Sequence, residues 1–254
     1  MPFRINGHIL DYGGFFMAFR DIVILANSRR HDGHCIAGKD ITTGEWIRPI
    51  NILGRGQVRV DQSAFLGSDF QSLGMDVSGP QLLDCVRIGF GNDCALYYQP
   101  ENKFIDGNPW EKIGRISSHR ISEFMDTAEH CFLRNSDIHH SYIPANELVT
   151  TPSMMSLNFL HLIRRENNVE IIHTTNMRNK PQHRMKFDYG SKNYNLAITD
   201  YRYENLVAQS INDDARIFDD FYLTIGLGEK FSPRNTNLEL HYRFIVGIVP
   251  AYEL

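Results

Sequence analysis

Apolar residues along the chain come in short runs separated by glycine and polar punctuation, a pattern of strands rather than long helices. The run RDIVILANSRR, from Arg20 to Arg30, is β-branched and apolar at its front and predicts a buried strand. HCIAGKDI follows across Asp32-Gly33, and EWIRPINIL across Thr43-Gly44, so the three form a meander. LLDCVRIGF and CALYYQPENKFID are further strand candidates. From Ser118 to Arg134 the period changes. Ile121, Phe124, Met125, Ala128 and Phe132 recur at helical spacing and predict one amphipathic helix over 118–134. After Pro152 strands return. SLNFLHLIRR is expected to pair with VEIIHTT across the Asn167-Asn168 turn, and HRMKFDYG with KNYNLAITDYRY across Gly190-Ser191. In the last of these, Tyr194, Leu196 and Ile198 alternate with Asn195, Ala197 and Thr199. DDFYLTIGLGEKF and the nearly all-apolar ELHYRFIVGIVPAY complete the set, the latter as a central strand.

Many short strands with little helix predict a mainly β protein. Two groups of strands parted near residue 150 predict two small barrels packed in one unit. The expected domains are an N-terminal extension over 1–19, a first barrel with the helical insertion over 20–149, and a second barrel over 150–254. A chain of 254 residues, 42% apolar and 22% charged, has the composition of a soluble globular protein. Its net charge of −4 excludes a globally basic nucleic-acid binder and leaves room for a local basic face. Cys35, Cys85, Cys94 and Cys131 form no C-x-x-C pair, and the first residues do not read as a signal peptide, so free thiols and a cytoplasmic, non-membrane location are expected.

Four phrases in order, ILANSRRHDGHCIAGKD...GEWIRPI, YYQPENKFID...W, YNLAITDYRYE and FYLTIGLGEKF...YRFIVGIVPA, resemble the bacterial dual OB-containing domain family over roughly Arg20 to Ala251. The resemblance implies a fold of two five-stranded OB-like barrels with insertions. It also implies nucleic-acid binding and a setting in antiviral defence.

The chemistry rests on arginines and aromatics. Arg29 and Arg30 lie where a strand ends and a turn begins, and alternation sends Trp46 and Arg48 to one face. An arginine there can fork a phosphate, stack on the tryptophan, or pair internally with Asp84 or Glu101. OB barrels hold single strands with stacking aromatics beside phosphate-tracking cations. Arg164, Arg165, Arg178, Lys180, Arg184, Lys186 and Lys192 make residues 161–192 locally basic, and Tyr189 lies among them. The candidate nucleic-acid contacts are therefore Arg29, Arg30, Arg48, Trp46, Arg184, Lys186 and Tyr189. Gln99, Glu101, Asn102, Asp106 and Asp200 form a candidate polar cluster, which reads first as turn and capping residues. His31, His34 and Cys35 lack a second ligand pair, and His34 and Cys35 would point to opposite faces of a strand, so no metal is expected. His139-His140 is a lone pair. GLGEKF lacks the full dinucleotide-binding glycine pattern, and no catalytic motif is present, so no cofactor or catalytic residue is assigned. The expected function is binding of single-stranded DNA or RNA, or a nucleotide-like ligand. The alternatives are a scaffold that docks a protein partner in a larger complex, and an enzyme acting on nucleic acid or nucleotides.

Overall fold

The computed structural model describes residues 4–5, 8–10, 16–30, 33–51, 80–127, 141–149, 156–176, 179–203, 218–233 and 236–252. Its elements are β1 (Arg4–Ile5), β2 (His8–Leu10), β3 (Phe16–Arg30), β4 (Gly33–Asp40), β5 (Trp46–Ile50), β6 (Asp84–Asp93), β7 (Asn102–Ile105), β8 (Glu111–Arg115), a 3-10 helix (Ser118–Phe124), β9 (Tyr142–Pro144), α1 (Ala145–Val149), β10 (Leu157–Ile163), β11 (Glu170–Thr175), β12 (Pro181–Tyr189), β13 (Lys192–Ile198), β14 (Asp220–Phe231) and β15 (Leu240–Pro250). Two compact units result, residues 1–96 with 101–117, and residues 97–100 with 118–254. Residues 118–127 and 141–149, grouped by sequence with the first barrel, lie in the second unit.

In the first unit, β3 is long enough to serve two neighbours. Its first half pairs with β6, from Ala18↔Phe90 to Val23↔Cys85, and its second half with β4, from Ile22↔Asp40 to Arg30↔Gly33. β4 pairs with β5, β5 runs parallel to β7, and β7 pairs with β6. The circuit β3-β4-β5-β7-β6 therefore returns to β3 as a closed five-stranded Greek-key barrel of the OB type. At the switch point Ile22, Val23, Ile24 and Leu25 are all fully buried, which explains the unbroken apolar run there. Gly38 lies against this bend, and a Cβ on it would stand 2.1 Å from the Val23 carbonyl oxygen. The expected three-strand meander is β3-β4-β5. Asp40 shapes its second turn by accepting the Thr42 and Thr43 N–H groups at 2.8 and 3.0 Å.

The second unit repeats the scheme with its first strand broken. The sheet order is β10-β14-β15-β13-β12-β11, and β13 and β15 are parallel. The remaining pairs along this path are antiparallel, so β10 and β11 run in the same direction. Together they take the place that β3 fills alone. They are joined by the turn 164–169, held by Asn167 N to Ile163 O and Val169 N to Arg164 O, both 2.9 Å. The expected β10–β11 hairpin is thus corrected: β10 pairs with β14, and β11 with β12. The β12–β13 hairpin forms as expected, with Gly190 at φ +62°. β15 is central, flanked by β14, β13 and β9. Leu160, Leu162, Met185, Phe187, Leu196, Phe221, Leu223, Ile225 and Ile245 are among its core residues.

The expected helix over 118–134 is also corrected in its described part. A 3-10 helix stops at Phe124, and Ile121 and Phe124 are its buried apolar residues. The next residues bond outward to the sheet: Asp126 N donates to the Phe159 carbonyl at 3.0 Å, and Phe159 N to the Asp126 carboxylate at 2.7 Å. Ala128 to Arg134 lie outside the described residues. No helix among the described residues is long and apolar enough to cross a membrane.

Candidate nucleic-acid interface

The strands β11, β12 and β13 form one side of the second barrel. Along β12, Met185 and Phe187 turn into the core, where Phe187 stacks on Tyr194 with ring centroids 5.2 Å apart. Strand alternation puts Gln182, Arg184, Lys186 and Asp188 on the other face. Their cross-strand partners are Thr174, Ile172 and Glu170 on β11 for the first three, and Ala197, Asn195 and Asn193 on β13 for the last three.

Arg184 is half-buried on this face. Its Nε donates to Asn195 Oδ1 at 2.7 Å, its Nη1 to Gln182 Oε1 at 3.3 Å, and its Nη2 to the Asn195 carbonyl. All these acceptors are neutral. The guanidinium is fixed in place, and among the described residues no carboxylate pairs with it. Burial lowers its pKa from the ordinary arginine value, but an arginine remains charged near neutrality. Lys186 meets Glu170 at 3.4 Å in an exposed, solvent-screened pair. At the end of the row, the amides of Asn168 and Asn193 bond the Asp188 carboxylate and hold it below the usual carboxylate range. His183 lies across from His173, rings 4.8 Å apart, and burial followed by repulsion from His173 lowers its pKa. Near neutrality it is uncharged. Tyr189 is half-buried and packs against the core.

The cations of the first unit are arranged differently. Arg20 meets Asp40 at 3.9 Å, Arg87 meets Asp21 at 2.7 Å, and Lys112 and Arg115 share the fully buried Asp84 at 2.7 and 3.0 Å. Arg48, only 8% exposed, pairs with buried Glu101 at 3.0 Å. Trp46 is buried, with Lys39 Nζ 5.3 Å from its ring centroid. These two side chains build the barrel wall and offer little surface to a ligand. Arg29 and Arg30 lie at the end of β3, paired with His34 and Gly33, at the connection to β4. Their side chains, and the residues His31 and Asp32, fall outside the described set, as do His139 and His140. His34 Nδ1 shares a hydrogen bond with Asn27 Oδ1 at 2.8 Å.

The polar cluster expected from sequence is dispersed into separate structural tasks. Gln99 Nε2 donates to the Leu227 carbonyl at 3.1 Å within the second unit. Glu101 holds Arg48, and Asn102 is buried at the start of β7. Asp106 forms a turn with Asn108, accepting its N–H at 2.9 Å and its side-chain amide at 2.8 Å. Asp200 accepts the Arg202 and Tyr203 N–H groups at 2.8 and 3.1 Å, and the Ile248 N–H at 2.7 Å, which ties the end of β13 to β15. Burial pushes its pKa up to about 6, against the pull of these three donors.

Tyr97 and Tyr98, read from sequence with the first barrel, belong to the second unit. They contact buried His241: Tyr97 OH is 3.3 Å from Nε2, and the Tyr98 ring lies 4.6 Å away. The other ring nitrogen, Nδ1, donates to the Gly228 carbonyl at 2.9 Å, which leaves Nε2 as the acceptor from Tyr97. Among the described residues no group of three or more His, Cys, Asp or Glu is placed to hold a metal ion. The residue that sequence reasoning missed is Asn195. Its signal was the polar phase of the alternating YNLAIT stretch, on the face opposite Tyr194 and Leu196.

A family model described as the dual OB-containing domain matches residues 20–248. No curated protein and no solved structure matches the chain.

Proposed function

The chain belongs to the dual OB-containing domain family, and from that premise we propose that it binds single-stranded DNA or RNA on the β11–β13 face of its second barrel. OB barrels bind oligonucleotides on the face formed by their second and third strands. In the second unit those strands are β12 and β13. The observation that carries the reading is Arg184: a guanidinium held rigid by neutral acceptors on that face, its charge left for a phosphate. The surroundings agree. Residues 164–202 carry eight lysines and arginines against four carboxylates, in a chain of net charge −4. Lys186 supplies a second cation roughly 7 Å along the strand. His183 and Tyr189 share the core-facing phase of β12 with Met185 and Phe187, so the reading rests on the cations of the row rather than on stacking rings. Arg29 and Arg30, at the first hairpin of the first barrel, are that barrel's contribution, since this loop also serves ligand binding in OB folds.

The test is ultraviolet cross-linking of the full chain to a photoreactive single-stranded oligonucleotide, followed by peptide mapping. Cross-links are expected in peptides covering 170–198. Cross-links confined to the first unit, or none, would contradict the reading.

A second reading, a protein-docking face, is supported by a separate patch. Phe231 and Leu238 are 39% and 53% exposed, and Phe231, Tyr242 and Tyr142 form an edge-to-face row with spacings of 5.9 and 5.8 Å. Phe231→Glu with Leu238→Glu is expected to leave oligonucleotide affinity unchanged, which separates the two faces in the same binding assay.

A further inference from the structure

The turn that breaks the first strand of the second barrel frames a cavity of about 350 Å³ lined by Arg164, Arg165, Asn168, Val169 and Asp219. A broken strand is not needed to form the barrel, because β3 fills the same place unbroken in the first unit. The turn is nonetheless well built. Asn167 Oδ1 accepts the Ile163 N–H at 2.8 Å, its Nδ2 donates to the Asp188 carbonyl at 3.0 Å, and Asn168 adopts φ +48°. Arg164 N is fixed to the Asp219 carbonyl at 2.8 Å. Two adjacent arginines are thus presented on a fixed backbone, and neither forms an ion pair among the described residues. Asp219 lines the same cavity without pairing to them. Its carboxylate opposes an anion there, while two guanidiniums favour one, so the lining carries a net charge of about +1 near neutrality.

We infer that this cavity is a phosphate pocket. Asn168 places it in line with the proposed binding face, because the same side chain that lines the cavity bonds Asp188 at 2.6 Å at the end of the row bearing Arg184 and Lys186. The inference deepens the proposed function and, for the identity of the phosphate, rests on it: the pocket takes a phosphate group of the strand bound along β12. That group is a backbone diester or a terminal monoester. Guanidinium forks suit both, since each presents planar, bidentate donors to phosphate oxygens.

The pocket is tested first with inorganic phosphate, by NMR chemical-shift titration of the full chain at constant ionic strength. The wild type is compared with the Arg164→Ala/Arg165→Ala double variant, Asp219→Asn and Arg184→Ala. Binding is expected in the wild type, weaker by about tenfold or more in the double variant. Asp219→Asn is expected to tighten it several-fold, because it removes the opposing charge and keeps the side-chain shape. Shifts at Arg184 and Lys186 report any phosphate held on the β12 face, and the pocket is read from the shifts of Arg164, Arg165 and Asn168, which Arg184→Ala is expected to retain. Asp219→Asn keeps the test decisive should the double variant fail to fold. No phosphate binding by the wild type, an unchanged affinity in a folded double variant, or no tightening in Asp219→Asn would overturn the pocket. The same proteins are then titrated into oligonucleotides ending in a 5′-phosphate or a 5′-hydroxyl. A loss in the double variant restricted to the phosphate-ended strand identifies a terminal monoester, and an equal loss on both strands identifies a backbone diester. Unaltered affinity for both strands removes the pocket from the nucleic-acid site. Phosphate binding that behaves as expected, in a chain that binds no oligonucleotide, keeps the pocket and discards the nucleic-acid reading.

Discussion

Arg48 and Arg184 show how much a single side chain's surroundings decide. Both lie in strands, Arg48 between Ile47 and Pro49 and Arg184 between His183 and Met185. Arg48 faces buried Glu101 and is spent on holding the barrel; Arg184 faces two amides and keeps its charge. Replacing Arg48 by Ala strands a buried carboxylate, which costs about 3–5 kcal/mol. Chemical denaturation is expected to show a large loss of stability, and a loss below 1 kcal/mol would mean the pair is dispensable. Asp200 makes a complementary prediction. Its pKa is raised by burial to about 6 from an ordinary value of 3.8. Between those two pH values the folded state binds the proton more tightly than the unfolded chain does. Its contribution to stability is therefore fully present below about pH 3.8, is lost as pH rises through about 6, and levels off above. Asp200→Asn is expected to flatten this window in urea titrations. It should also cost about 1–3 kcal/mol, because an amide cannot accept at both ends. An unchanged pH profile would contradict the assignment. The sequence carried Asp200 as a capping residue through its place at a strand end, but the Ile248 N–H it also accepts lies 48 residues away and leaves no trace in any local pattern.

At the level of elements, strands were legible wherever apolar runs met glycine or Asx turns. The meander β3-β4-β5, the β12–β13 hairpin and the central β15 follow from such signals. Pairing was legible only where the turn was short. The six residues of 164–169 look like a loose hairpin, yet the chain leaves them in its original direction, because β11 is claimed by β12 and β10 by β14. The helical spacing after Ser118 failed for a related reason. Asp126 bonds the backbone of Phe159, and this long-range pair ends the helix that Ile121 and Phe124 begin. The barrel bend at Gly38 is open to direct test. A Cβ there meets the Val23 carbonyl at 2.1 Å, and Val23 is gripped by β4 on one side and β6 on the other, so neither can give way. Gly38→Ala is expected to destabilise by about 3 kcal/mol, the upper end of overpacking costs. Gly44 has open space around it and φ +72°, so Gly44→Ala is expected to cost only about 1 kcal/mol. Melting temperatures that fell equally for both would contradict the close approach at Gly38.

Over the whole molecule, the two units share a strand order and divide in charge arrangement. Five strands close the first barrel, and a split first strand joins the set in the second. Arg20, Arg87, Lys112 and Arg115 of the first unit each meet a carboxylate, Lys112 and Arg115 the same one, and Lys186 and Lys230 of the second unit are paired as well. Arg164, Arg165 and Arg184 of the second form no ion pair among the described residues. Net charge, at −4, hides this contrast. The locally basic stretch was visible in the sequence; which of its cations are left for a ligand was not, since that depends on cross-strand partners such as Asn195. On the proposed reading, the β12 face tracks phosphates of a single strand. That reading is tested most directly by the salt dependence of oligonucleotide affinity, read by fluorescence anisotropy for the wild type and the Arg184→Ala/Lys186→Ala variant. Affinity should fall with salt in the wild type, and the slope of log affinity against log salt should become shallower by about 1.4 in the variant, the share of two phosphate contacts on single-stranded nucleic acid. Equal slopes in the two proteins, or no salt-dependent binding by the wild type, would contradict the account.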